Sequence, residues 1–85
     1  MPEEMIGKVA DYFAKIGVAA IDLTQGTLSV GDTIRIKGHT TDFTQTVESI
    51  QIEHAQVQTA KAGDSIGIKV KDRVRDSDMV YKVTA

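Results

Sequence analysis

The stretch that decides the fold runs Leu28-Ser29-Val30-Gly31-Asp32-Thr33-Ile34-Arg35-Ile36-Lys37-Gly38. It joins a tight Gly-Asp turn to a short strand in which apolar and polar residues alternate strictly. Because side chains alternate across a strand, Ile34 and Ile36 are predicted to face the core, with Arg35 and Lys37 facing solvent. Glycine suits a left-handed turn position, and an aspartate carboxylate can accept hydrogen bonds from turn amides.

The same turn-and-strand pattern occurs twice more. Its second copy is Ala60-Lys61-Ala62-Gly63-Asp64-Ser65-Ile66-Gly67-Ile68-Lys69-Val70, and a third, weaker copy is Arg75-Asp76-Ser77-Asp78-Met79-Val80-Tyr81-Lys82-Val83. Successive backbone amides at such turns can also cradle phosphate. Turn chemistry explains the Gly-Asp pairs without a ligand. We therefore predict structural turn roles for Gly31, Asp32, Gly63, Asp64 and Gly67.

Length and composition indicate one small domain. The chain has 85 residues, no cysteine and a net charge of −2. We expect a flexible N-terminus over residues 1–4 and a single β-barrel domain over residues 5–85. The acidic N-terminus lacks the basic start and apolar run of a signal peptide, and the lack of cysteine fits a reducing compartment. These features predict a soluble, cytoplasmic protein with no membrane contact.

The first third of the chain favours a β-hairpin. Residues 5–13 have a helical alternative, because apolar residues such as Val9 and Tyr12 also fit helical spacing. Gly7 weakens a helix by about 1 kcal/mol, however, and strand-forming residues 18–23 follow a short turn. The aromatic residues of the chain are expected to lie mostly in the core.

The second half of the chain is predicted to hold three more strands. Residues 43–52 switch parity near Glu48-Ser49, which predicts one strand with a β-bulge. The remaining segments are a short connection over 55–60, a half-buried strand over 66–70, a charged excursion over 71–78 and a final strand over 79–83. Six or seven short strands predict a barrel or sandwich, and closure is favoured because an open sheet would expose its edges.

Several motifs on these segments together resemble a known family. They are Ile6-Gly7-Lys8-Val9, Gly26-Thr27-Leu28-Ser29-Val30-Gly31-Asp32, Val47-Glu48-Ser49-Ile50 and Ala62-Gly63-Asp64-Ser65-Ile66-Gly67-Ile68. The chain resembles the second domain of translational GTPases such as elongation factor Tu and initiation factor two, from about Ile6 to Val83. The resemblance implies an all-β fold, a small closed six-stranded Greek-key barrel of the translation-factor domain 2 type.

A similar barrel closes the C-terminus of some collagenase-like peptidases, and the segments Tyr12-Phe13 and Lys37-Gly38 resemble those proteins. One departure concerns the last turn. Where the family usually has a third Gly-Asp pair, this chain has Asp76-Ser77-Asp78, which leaves the path of that loop open.

Basic residues are the candidates for binding RNA or a partner. One group shares parity on a single strand and the other lies near the charged excursion: Arg35, Lys37 and His39, then Lys69, Lys71, Arg73 and Arg75. Two such strands side by side would form a basic patch of RNA-binding size. Because aspartates lie close to the second group in sequence, a solvated face of mixed charge is the alternative.

No catalytic site, metal site or cofactor is predicted. His39 and His54, with Asp42 and Glu53 nearby, lack the spacing of metal ligands. No serine has a motif-level base beside it, and cysteine is absent. The chain also has no phosphate-loop motif, so GTP binding is not expected.

Two functions follow, in order of preference. The leading hypothesis, which the resemblance implies, is a stand-alone, non-catalytic module that contacts RNA or a ribonucleoprotein, such as tRNA or the ribosome. The alternative is a protein-interaction subunit that resembles the C-terminal domain of a collagenase-like peptidase and docks on a separate chain. The acidic net charge favours the alternative slightly. A weaker third hypothesis is a ligand-binding barrel that uses residues 37–43.

Overall fold

Ten β-strands make up the protein, which a computed structural model describes over residues 3–84. They are β1 Glu3–Phe13, β2 Val18–Leu23, β3 Thr27–Ser29, β4 Thr33–Lys37, β5 Asp42–Thr46, β6 Ile50–Ile52, β7 Ala55–Val57, β8 Thr59–Lys61, β9 Ser65–Lys69 and β10 Met79–Val83. The all-β prediction is confirmed. Within the described range, no helix is long and apolar enough to cross a membrane. Of the predicted flexible N-terminus, Met1 and Pro2 lie outside the described residues, and β1 begins at Glu3.

The predicted closed six-stranded Greek-key barrel is wrong in its strand number and its closure. Eight strands form one antiparallel sheet in the order β5-β4-β10-β1-β2-β9-β6-β7, and β3 and β8 form a separate two-stranded sheet. Over residues 3–84, no strand pairing joins the two ends of the large sheet. The sheet nevertheless coils around one core, which gives a radius of gyration of 11.2 Å.

Strand β1 introduces two bends near the middle of the large sheet. Its register shifts between Met5 and Gly7 against β10, and between Val9 and Asp11 against β2. Such bulges bend a strand and increase its twist. At the first bend, Gly7 passes so close to the backbone carbonyl of Asp22 that a Cβ atom would collide with it. The glycine is therefore required by this approach of β1 to β2.

The predicted single bulged strand over residues 43–52 is two strands, β5 and β6. Strand β5 pairs with β4, whereas β6 pairs with β7 and β9. Between them, the Val47 N–H donates to the Asp32 carbonyl at 2.8 Å, and the Val47 carbonyl accepts from the Gly31 N–H at 2.9 Å. The parity switch thus marks a change of partner strand. The predicted connection over 55–60 is also wrong, because it contains β7 and most of β8.

A side chain bridges the gap between β5 and the end of β9. The Gln45 amide donates to the Lys69 carbonyl at 2.8 Å and accepts from the Lys71 N–H at 2.9 Å. These bonds go to the residues on either side of Val70, so they imitate the bonds of a neighbouring parallel strand; an antiparallel partner would exchange both bonds with a single residue. The opening in the sheet is therefore spanned by one residue.

Aliphatic side chains fill the interior. The predicted alternation is confirmed at Ile34 and Ile36, both 0% exposed, and it recurs at Ile66 and Ile68. The other buried hydrophobic residues are Ile6, Val9, Ala19, Ile21, Leu23, Leu28, Val47, Ile50, Ala60, Val70, Val74 and Val80. Burying one Val or Ile side chain contributes about 1.5–3 kcal/mol, so this core is a large source of stability.

The three copies of the turn pattern share one geometry. In each, an aspartate N–H donates to the carbonyl three residues earlier, and the aspartate carboxylate accepts the N–H of that same residue. The Oδ2 atoms of Asp32, Asp64 and Asp78 lie 2.8, 3.0 and 2.9 Å from those amide nitrogens. The residue before each aspartate has a positive φ, as type II turns require.

Each turn also holds one buried aliphatic residue through two backbone hydrogen bonds, an arrangement that we call a turn clamp. The N–H of the positive-φ residue donates to the held residue's carbonyl, and the held residue's N–H donates to the aspartate carbonyl. The distances lie between 2.8 and 3.0 Å. The held residues are Val47, Leu23 and Val9 for the first, second and third turns, and none is more than 3% exposed.

Ser77 takes the place of glycine in the third clamp. Its φ is 74°, compared with 98° for Gly31 and 97° for Gly63. The loop whose path the sequence left open therefore follows the same course as the other two turns. A left-handed conformation costs an L-residue about 1–2 kcal/mol, so Ser77 holds this turn at an energetic disadvantage.

Replacing Ser77 with glycine should raise the free energy of unfolding by about 0.5–1 kcal/mol. The steric cost at position 77 disappears, and the larger chain entropy of glycine in the unfolded state offsets only part of that gain. Urea denaturation measures the difference, and the matched control Gly31→Ser should change stability in the opposite direction. An unchanged or lowered stability of Ser77→Gly would contradict the equivalence of the turns.

Candidate functional site

Arg35, the first of the predicted basic residues, is held in an ion-pair network on the outer face of the sheet. Its guanidinium donates to both carboxylate oxygens of Asp42 at 2.8 Å and to Glu3 at 3.1 Å. These hydrogen bonds hold the pKa of Asp42 below its ordinary value, against a smaller opposing effect of desolvation. The bonds to Asp42 and Glu3 in turn raise the pKa of Arg35. Two carboxylates of the domain itself thus occupy this cation.

The two predicted groups of basic residues do not lie on neighbouring strands. Strand β4 carries Lys37 and β9 carries Lys69; within the sheet β10, β1 and β2 separate these two strands, and on the other side β5 lies between β4 and the end of β9. His39 lies exposed in the loop after β4. Lys71 lies beside β5, with its Nζ 6.0 Å from the centre of the Phe43 ring. The side-by-side arrangement on which the single basic patch depended is absent from residues 3–84.

Arg73 and Arg75 border a cleft of their own. Both side chains are exposed, and Tyr12 lines the same cleft. Asp11 and Asp76 line it as well, so the two arginines face carboxylates as well as solvent. This arrangement matches the mixed-charge alternative at that end of the molecule.

Gly67 is the one predicted turn residue that lies in a strand. It sits at the middle of β9, paired with Ala20 of β2 and Gln51 of β6. Gly31 and Gly63, by contrast, occupy turns with positive φ. A Cβ atom at Gly67 would lie 3.4 Å from Val18 Cγ1, so this position offers space on the outer face of the sheet.

An apolar groove crosses that outer face beside the β1–β2 hairpin. Phe13 and Ile16 form one wall and are 47% and 63% exposed. The floor contains Val18, Ala20 and Gly67, and the open volume is about 300 Å³. Because the floor residues are small, the groove exposes the sheet surface between its walls. We name this set of residues the hairpin groove.

The β6–β7 turn forms the opposite wall of the hairpin groove. Its two residues are Glu53 and His54, with φ values of 50° and 68°. Two-residue hairpin turns with positive φ at both positions strongly prefer Asn-Gly. Non-glycine residues in this conformation cost about 1–3 kcal/mol and are concentrated at functional sites. The wall is thus made by side chains that are not the most stable choice for the turn.

No pattern in the sequence indicated the hairpin groove. Phe13 is the exception to the expectation that the aromatic residues lie mostly in the core: it faces outward beside Val18 because the register of β1 has shifted. Ile16 lies in the turn between β1 and β2. An isoleucine between Lys15 and Gly17, in a predicted turn, was the available signal for an exposed apolar residue.

Potential metal ligands are dispersed over the molecule. His39 follows β4, whereas His54 lies in the β6–β7 turn. Among residues 3–84, no three histidine, aspartate or glutamate side chains come together in a way that could hold a metal ion.

Fold and groove together define a small antiparallel β domain with an exposed apolar surface, and comparison with known proteins identifies its family. The model of elongation factor Tu domain 2 matches residues 17–77. The chain therefore belongs to the elongation factor Tu domain 2 family, which confirms the resemblance seen in its motifs.

Relatives outside the translation factors are also similar to this chain. An uncharacterised protease of Methanocaldococcus jannaschii is 43% identical over 77 residues, which are 89% of this chain and 19% of the relative. A collagenase of Porphyromonas gingivalis is 42% identical over 78 residues, which are 91% of this chain and 22% of the relative. The chain thus spans about a fifth of the length of these curated relatives.

A solved structure shares the fold along nearly the whole chain. It is the C-terminal domain of a protein assigned to the U32 peptidases in Geobacillus thermoleovorans, with a TM-score of 0.88 and 25% sequence identity. The match covers 95% of this chain and 93% of that domain. The predicted similarity to the C-terminal barrel of collagenase-like peptidases is confirmed by this match.

Replacing Asp42 with asparagine should make stability less sensitive to acid. Because Arg35 lowers the pKa of Asp42 in the folded state, the ionised carboxylate stabilises the fold above its unfolded pKa. That contribution is lost as the pH falls through the lower, folded pKa. The thermal midpoint, measured from about pH 5 to about pH 2.5, should therefore fall less steeply in Asp42→Asn than in the wild type.

The matched control is Asp72→Asn, at an exposed aspartate without an ion pair in the described part of the chain. Its thermal midpoint should fall with decreasing pH as steeply as that of the wild type. A wild-type slope in Asp42→Asn would contradict a stabilising role for the bond to Arg35.

Proposed function

We propose that this chain is a non-catalytic module that docks on a protein partner of the peptidase type through the hairpin groove. The groove itself carries the proposal, because it leaves Phe13 and Ile16 exposed together beside a floor of small residues. The chain is similar to a segment that makes up about a fifth of proteins named collagenase and protease, and this similarity supports a peptidase-type partner. The partner segment belongs to a separate polypeptide chain.

The energetics favour docking at this surface. Burying a Phe or Ile side chain fully contributes about 1.5–3 kcal/mol relative to leaving it exposed. Anchors of binding are characteristically apolar or aromatic side chains at the centre of a patch, surrounded by polar residues that exclude water. Phe13 and Ile16 fit the first role, and Gln51, Glu53 and Ser65 fit the second.

A non-catalytic role is consistent with how the interior is built. Side chains fill the core, so the clefts of the described residues are open features of the surface. Enzyme sites are usually concave and bury most of the substrate. We expect catalysis, where it occurs in proteins of this type, to lie outside this domain.

The RNA-binding hypothesis remains a prediction without a specific supporting observation. Arg35 is occupied by Asp42 and Glu3. Lys69 and Lys71 line one cleft, and Arg73 and Arg75 line another together with two aspartates. A binding site for nucleic acid depends on cations that are free to contact phosphates. We therefore prefer the docking function, and the capture experiment distinguishes it from RNA binding.

The test is affinity capture with the immobilised chain from a nuclease-treated lysate of its source organism. We expect a stoichiometric partner that mass spectrometry identifies as a peptidase-type chain. Ile16→Asp should reduce its retention about tenfold, because the substitution places a charge at an apolar anchor. Ile16 is exposed in a turn, so the melting temperature should stay near that of the wild type.

Lys37→Glu is the matched control, since it changes an exposed residue on β4, which does not line the groove. It should leave retention unchanged. Retention that nuclease abolishes, or that Lys37→Glu lowers and Ile16→Asp does not, would favour RNA binding and overturn the docking proposal. Absence of any stoichiometric protein partner would overturn it as well.

A further inference from the structure

Opposite charges lie at the two ends of the hairpin groove: Glu53 lines the groove itself, and Lys69 lines an adjoining cleft that shares Val18 and Gly67 with it. Lys69 pairs with Val18 at one end of β9, and Ser65 pairs with Asp22 at the other. Glu53 follows β6 on the side of Ser65, because Gln51 is already opposite Gly67. A strand rises about 3.3 Å per residue, so the basic and acidic ends lie about 13 Å apart.

These charges are not used within the domain. Over residues 3–84, ion pairs involve Arg35 and Lys82, but none involves Lys69, Asp22 or Glu53. Asp22 accepts a hydrogen bond from the Ser65 hydroxyl at 2.8 Å, which leaves its negative charge unpaired. Lys8 lies opposite Asp22 in the ladder between β1 and β2, and its positive charge reduces the negative potential there. Glu53 is therefore the main acidic group at that end of the groove.

The dimensions of the groove suit a short extended segment. It crosses three neighbouring strands, which is a width of about 10 Å, and its length equals about four extended residues. A stable interface between two folded domains buries about 800 Å² on each side, far more than a groove of this size offers. The floor at Ala20 and Gly67 lets a backbone or an aliphatic side chain approach the sheet closely.

On the basis of the proposed docking function, we infer that the groove binds an extended apolar peptide segment with opposite charges at its two ends. Its basic residue lies beside Glu53 and Asp22, and its acidic residue lies beside Lys69. The apolar residues between them contact Phe13 and Ile16 and cover Gly67. Charge complementarity therefore fixes the direction of the segment, while the apolar contacts supply most of the affinity.

Three synthetic peptides test this assignment. They have blocked ends and the sequences Lys-Ala-Leu-Leu-Ala-Glu, Lys-Ala-Leu-Leu-Ala-Lys and Glu-Ala-Leu-Leu-Ala-Glu. Each is titrated into the ¹⁵N-labelled chain while amide chemical shifts are recorded. We expect shifts at Ala20, Gly67 and His54, and about threefold weaker binding for each peptide that carries two like charges. Gly67→Ala should weaken all three, since the added Cβ fills the floor.

A spin label on the lysine end of the first peptide reports its direction. It should broaden the amide signals around Glu53 and Ser65 and spare those around Lys69. In the charge-exchanged variant Lys69→Glu with Glu53→Lys, affinity should stay within about twofold of the wild type, and broadening should move toward position 69.

Equal affinities for the three peptides, or broadening of the amide signals around Lys69 in the wild type, would overturn the proposed direction of the bound segment. Absence of shifts in the groove with every peptide would overturn the peptide-binding inference. That last outcome leaves the docking function to be decided by the capture experiment, in which dependence on Ile16 is measured with the natural partner.

Discussion

The rest of the structure depends on three turn clamps, in each of which an aspartate-containing turn holds the backbone of a buried aliphatic residue. Each turn is closed by its own aspartate carboxylate and carries the start of a strand: β4, β9 or β10. Each held residue belongs to a distant part of the chain, at Val47, Leu23 or Val9. The clamps thus join local turns to long-range contacts, which fixes where three strands enter the sheet.

The clamps also explain how an unclosed sheet encloses a core. The third clamp holds Val9 at the second bend of β1, and the second holds Leu23 at the end of β2. Because β1 bends at Val9 and also near Gly7, which lies opposite Leu23, its inner side chains face one interior. Phe13, at the far end of β1, faces outward. The hairpin groove is therefore a consequence of the same bends that complete the core.

The features that follow from local chemistry were predictable. Strict alternation identified the buried faces of β4 and β9, and the Gly-Asp pairs indicated turns. The features that depend on distant partners were not. Nothing near Val47 in the sequence reveals that a turn at Gly31 detaches it from β5, and nothing near Gln45 reveals that its side chain bridges to Lys69. The outward position of Phe13 likewise required the register shift in β1 to be known.

Asp78 offers the most direct measurement of the clamps, because the residue is only 5% exposed and its carboxylate packs against Gly38. Its neighbour Asp76 is exposed, lies outside the clamp bonds and provides the control. We predict that Asp78→Ala lowers the free energy of unfolding by about 1.5–3 kcal/mol, the usual range for a hydrogen bond to a charged group, while Asp76→Ala changes it by less than about 0.5 kcal/mol. Equal effects of the two substitutions would contradict the central role of the clamps.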